Sequence, residues 1–126
     1  MDTGLLQGIK DMNLTSMTPV QEKILCASDW RKDYLVQSKT GTGKTIAFLL
    51  PALHNLVSDR TLDRSKVGLL ILAPTRELAE QIQDECNKLI TKVSPQIYCH
   101  LAVGGKKRAS QLRRFMESPA PTIVVA

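Results

Sequence analysis

Leu5, Ile9 and Met12 fall at i, i+4 and i+7, a spacing that predicts a short amphipathic helix, with Asn13 as its stop. A second helix start follows. Thr18 as N-cap, Pro19 at the first helical position and Gln21 at N3 compose a capping box, and Ile24, Leu25 and Ala27 supply apolar positions behind it. The polar stretch Asp29-Trp30-Arg31-Lys32-Asp33 leads into a short apolar run at 34–37, predicted as the first strand. A helix is then expected from 43 to about 57, kinked at Pro51 because proline removes one backbone donor. Residues 58–66 are a charged connector.

Val67-Gly68-Leu69-Leu70-Ile71-Leu72-Ala73 is apolar throughout, as a parallel strand buried on both faces requires. Pro74-Thr75 ends it and opens a long helix, in which Leu78, Ile82, Cys86, Leu89 and Val93 line one stripe. Ser94-Pro95 stops that helix. Residues 97–103 read as a third strand, and Gly104-Gly105 turns into a helix with Ala109, Leu112 and Met116 on its apolar side. Lys106, Lys107, Arg108, Arg113 and Arg114 fall mostly on its other side. After Pro119-Ala120-Pro121, Thr122-Ile123-Val124-Val125-Ala126 is a fourth strand of the buried type. Strands alternating with helices predict an α/β fold, a parallel sheet with helices on both faces.

At 126 residues the chain, 1–126, is one domain at most. Its net charge of +5 is compatible with a polyanion partner without establishing one. Cys26, Cys86 and Cys99 lack C-x-x-C spacing, which argues against a zinc site and for a reducing compartment, each thiol serving as a small core residue. No apolar run is long enough to cross a membrane. His54 and His100 stand alone, without the company of other ligands, and Trp30 reads as cover for the edge of the core.

The chemistry concentrates in Ser38-Lys39-Thr40-Gly41-Thr42-Gly43-Lys44-Thr45, set between an apolar run and a helix. This is the context of a phosphate-binding loop. Gly41 and Gly43 let backbone N–H groups approach anionic oxygens, and the helix start adds its positive dipole end. Lys44 can reach the β- and γ-phosphates of a nucleotide, and the Thr45 hydroxyl can ligate Mg²⁺. Ser38 stands where the general pattern has glycine, a small residue that still fits. The plainer alternative is a glycine turn with no ligand.

Four stretches in this order resemble the DEAD-box family of ATP-dependent RNA helicases. Thr18-Pro19-Val20-Gln21 is similar to its Q motif, residues 38–45 to its motif I, Pro74-Thr75-Arg76-Glu77-Leu78-Ala79 to its motif Ia, and Gly104-Gly105 to the glycine pair that follows. The resemblance implies the N-terminal RecA-like domain of an RNA-dependent ATPase that unwinds or remodels RNA, using ATP and Mg²⁺. It implies that Gln21, supported by Thr18, reads adenine. Lys44 and Thr45 would carry the catalytic phosphate and metal contacts. Pro74, Thr75, Arg76, Gly104 and Gly105 would face the RNA backbone, in contacts independent of base sequence. Met17 stands where many members have proline, and the aromatic residue upstream of the Q motif has no counterpart.

The chain is expected to end ahead of the T-P-G-R and D-E-A-D motifs and to lack the second RecA-like domain, so that by itself it binds nucleotide without turning it over. The Q motif and motif I look most like fungal mitochondrial splicing helicases, which implies a mitochondrial location, with nucleus, nucleolus or cytoplasm as alternatives. Other readings stay open: a nucleotide- and RNA-binding module, a DNA helicase, or another P-loop ATPase. Gln21 is also explained by its capping box alone, Gly104-Gly105 by a turn, and the basic residues near 106–108 by a solvated helix face.

Overall fold

The computed structural model describes residues 1–63, 65–105, 107–117 and 122–126; the features expected at Arg64, Lys106 and Pro119-Ala120-Pro121 lie outside them. Ile123, Val124 and Val125 are apolar on both sides of the pleat, which suits only the middle of a sheet. Accordingly β3 (Ile123–Val125) lies between β1 (Leu69–Ile71) and β2 (Cys99–Leu101), parallel to both. Ile123 is level with Leu69 on one side and Cys99 on the other. Because all three strands run the same way, the segments that follow them leave from one edge of the sheet.

The helix α4 (Arg76–Ile90) connects β1 to β2 and turns Ile82, Cys86 and Leu89 of the predicted stripe inward together with Ala79, while Leu78 is half-buried and Val93 is buried just beyond the helix end. Against the same core pack Leu49, Leu53 and Leu56 of α3 (Lys44–Ser58). Each fully buried leucine contributes about 1.5–3 kcal/mol. The N-terminal helix α1 (Thr3–Asp11) is capped by the Asp2 carboxylate, which accepts from the N–H groups of Gly4 and Leu5 at 2.8 and 3.2 Å. It sits on α4 through two glycines. A Cβ on Gly8 would come within 2.5 Å of the Leu89 carbonyl oxygen, and one on Gly4 would overlap that of Lys92. Asn13 turns the chain out of α1 in the left-handed region, with φ 56°. The capping box of α2 (Pro19–Leu25) is formed as expected.

Three expectations are corrected. Residues 34–37 pair with no strand among the described residues, so the sheet has three strands rather than four; Leu35 is fully exposed, and a cavity of about 830 Å³ lined by Tyr34, Val36, Phe48, Leu56 and Leu69 separates this segment from β1. In α5 (Arg108–Met116), Ala109, Leu112 and Met116 are exposed; Gln111 and Phe115, one helical turn apart, face the sheet instead. Phe115 meets His100 edge-on, centroids 5.5 Å apart. Apolar count misled here because one large aromatic and a hydrogen-bonding glutamine outcompete three smaller contacts. Cys26, finally, is exposed at the end of α2, whereas Cys86 is buried, its thiol pKa pushed up by a hydrogen bond with Cys99 and by burial.

Candidate nucleotide and nucleic-acid site

The loop at 38–43 is held by its own side chains. Thr42 Oγ1 donates to the Lys39 carbonyl at 2.6 Å, which commits its only proton, so Ser38 Oγ is the donor in the 2.5 Å bond to Thr42 Oγ1. Ser38 in place of glycine therefore closes the loop rather than weakening it. Gly41 and Gly43 take φ +75° and +81°, the left-handed region that glycine adopts at no cost. Gly43 is also the N-cap of α3, and it has no side chain to satisfy the helix's first N–H groups. Such a start, with the dipole behind it, has the chemistry to receive an anion.

Lys44 Nζ donates to the Ser38 carbonyl at 2.5 Å, which sets the ammonium across the loop with two further donors to spend. Thr45, half-buried one residue further on, brings a hydroxyl to the same helix start. Gln21 reaches this loop from α2, 22 residues upstream: its Nε2 donates to the Gly43 carbonyl at 3.1 Å, and its Oε1 accepts from Thr18 N–H at 3.0 Å. A methyl on Gly43 would overlap Gln21 Nε2 and lie 3.3 Å from Thr18 Oγ1. The amide keeps one donor and one acceptor beyond these bonds, the complement that an adenine edge presents. The structure thus brings Thr18, Gln21 and residues 38–45 together. Among the described residues no group of three or more His, Cys, Asp or Glu could hold a metal ion.

A second group forms at the carboxyl edge of the sheet. Thr75 caps α4, its Oγ1 accepting from Leu78 N–H at 3.2 Å, and Arg76 is the first residue of that helix. Gly105, with φ +82°, lies directly beneath the Arg76 guanidinium: an added Cβ would be 2.7 Å from Arg76 Cζ and would overlap Nη2. Pro74, Thr75, Arg76, Gly104 and Gly105 are all exposed. The meeting follows from topology, because β1 and β2 flank β3 and their loops emerge side by side. Among the described residues, ion pairs occur only at Arg31–Asp29 (3.3 Å) and Lys66–Asp63 (3.2 Å), which leaves Arg76 and the cations of α5 without an acidic partner.

Trp30 serves packing, its Nε1 donating to the Ile24 carbonyl at 2.9 Å and its ring meeting His54 edge-on. Gln111 was missed by motif reasoning. Its spacing of four from Phe115 was the available signal.

A glycine turn, an uncapped helix start and a lysine folded across them, set in a parallel α/β sheet, define a P-loop nucleotide-binding domain. Comparison with known proteins narrows the class. The profile of the DEAD/DEAH box helicases matches residues 18–126. The chain belongs to that family, as a partial RecA-like domain. It is 51% identical over its whole length to a protein of Aspergillus oryzae named ATP-dependent RNA helicase mss116, mitochondrial, of which it covers 20%. It is 39% identical, over 94% of its length, to DEAD-box ATP-dependent RNA helicase 26 of Arabidopsis thaliana, covering 14% of that protein. Among solved structures, Mss116p bound to ssRNA and AMP-PNP matches the whole chain with a TM-score of 0.83 at 32% identity, over 25% of its own chain. The yeast DEAD-box splicing factor Prp28 gives 0.84 at 29% identity, over 31% of its own chain. The chain thus spans about a fifth of the length of the first curated relatives it matches. No helix among the described residues is long and apolar enough to cross a membrane.

Proposed function

We propose that this chain is the ATP-binding, RNA-contacting N-terminal part of the first RecA-like domain of an ATP-dependent RNA helicase. One observation carries the reading: the α3 helix begins without a cap, beneath Lys44, at a loop tied through Gly43 to the Gln21 amide. Backbone N–H groups at Gly41, Thr42 and Gly43 cradle the phosphates, with Ser38, Lys39 and Thr40 shaping the loop. Lys44 would neutralise developing charge on the phosphates, and the Thr45 hydroxyl would help hold a Mg²⁺ ion, which would supply charge neutralisation there. Gln21 and Thr18 select adenine. Pro74, Thr75, Arg76, Gly104 and Gly105 hold the RNA backbone without reading its bases. The first relatives are four to five times longer. A second RecA-like domain in the complete protein supplies the groups that finish catalysis. The fungal relatives' names support a mitochondrial location, which fractionation of the host cell tests.

The decisive experiment measures RNA-stimulated phosphate release by the complete helicase carrying this chain. Lys44→Ala is expected to abolish it, and retained turnover overturns the assignment. A second reading concerns the chain alone, whose loop presents hydroxyls and two lysines but no carboxylate. It binds ATP or ADP and does not hydrolyse it; robust RNA-dependent turnover by the 126-residue chain would refute this. Equal affinity for DNA and RNA would instead favour a DNA helicase.

A further inference from the structure

Val103 precedes the exposed Gly104-Gly105 turn, two residues beyond the end of the edge strand β2. The N–H of Ala102 points inward and donates to the Val125 carbonyl at 2.8 Å. By the alternation of extended backbone, the N–H and C=O of Val103 point the other way, toward the edge that no strand covers among the described residues. There they meet one side chain. The Gln111 Oε1 accepts from Val103 N–H at 3.1 Å, and Gln111 Nε2 donates to the Val103 carbonyl at 2.7 Å. The amide makes both bonds that a neighbouring strand would make.

We infer that Gln111 is a positioning residue for RNA binding: by clamping both backbone groups of Val103 it fixes where Gly104 and Gly105 leave the sheet, and so holds Gly105 beneath the Arg76 guanidinium. These two bonds join Val103 directly to α5. Packing seats each side separately, Val103 in the core and Phe115 edge-on to His100, and the Gln111 amide ties the one to the other directly. The clamp matters because Gly104 has open space around it and Gly105 is left-handed, so the turn has little of its own to fix it. A turn ordered beforehand loses less freedom when it grips a phosphate.

The inference rests on the RNA reading of Arg76 and Gly105, and its test separates the two. Gln111→Met keeps the length and helix preference of the side chain but cannot bond to Val103; Gln111→Asn stays polar but is too short to span the gap. In the complete helicase, each is expected to raise the RNA concentration for half-maximal ATP turnover about five- to tenfold. The kcat at saturating RNA and the KM for ATP are expected to stay within about twofold, while amide exchange at Val103 accelerates. Gly105→Ala is run beside them. If Gly105→Ala raises the RNA requirement and neither Gln111 variant does, the clamp is structural only and the inference falls. A loss of kcat or ATP affinity in step with the RNA effect overturns it also. If none of the three alters the RNA requirement, the RNA reading of this edge fails first.

Discussion

The molecule builds two helix starts from similar parts and finishes them differently. At α3 the N-cap is Gly43, which leaves the first N–H groups open; at α4 it is Thr75, whose hydroxyl oxygen takes the N–H of Leu78. An open start concentrates donors and dipole on one point and suits a compact, highly charged phosphate chain. A capped start has used its side chain locally and offers what stands around it: a hydroxyl proton, the Arg76 guanidinium and bare glycine backbone. Such a surface suits an extended polyanion touched at several places. On the proposed function, the capping residue is what separates a nucleotide site from a strand-binding one.

The largest expected effect comes from removing the charge at the open start. Lys44→Ala should cut ATP turnover of the complete helicase by about 100-fold or more, read by phosphate release, with RNA affinity in the absence of nucleotide unchanged. Next is Gly43→Ala, which forces a methyl into the left-handed region and against Gln21 Nε2. A cost of about 1–3 kcal/mol in stability is expected, visible in urea unfolding, together with lost nucleotide binding by fluorescence titration.

At the capped start the effects are smaller and fall on the other ligand. Gly105→Ala strains φ and displaces the guanidinium of Arg76, so RNA affinity by anisotropy should drop about tenfold with ATP binding intact. Loss of ATP binding there would break the division between the two sites. Smallest is Thr75→Ala, which removes a cap worth about 1 kcal/mol. Thr75→Ser keeps the oxygen and is expected to restore the melting temperature.

The legibility of the sequence followed the range of the interactions. The α4 stripe, the capping box at Thr18 and Gln21, and the stop at Asn13 rest on contacts within a few residues, and each stands as its pattern required. Residues 34–37 have strand-like side chains, but a strand exists only through its neighbours, and none lies beside them among the described residues. The exposed face of α5 was misread for a related reason, since which side of a short basic helix faces inward depends on what the sheet edge offers.

From sequence alone came the phosphate loop, its lysine and threonine, the family motifs and the parallel α/β pattern, because these are fixed by residue type at set spacing. The tertiary structure decided which distant residues work together: Gln21 on Gly43, Arg76 over Gly105, Gln111 on Val103. Those pairs are separated by 22, 29 and 8 positions, and only the packing of α2 on the loop and of β1 and β2 about β3 brings them into contact.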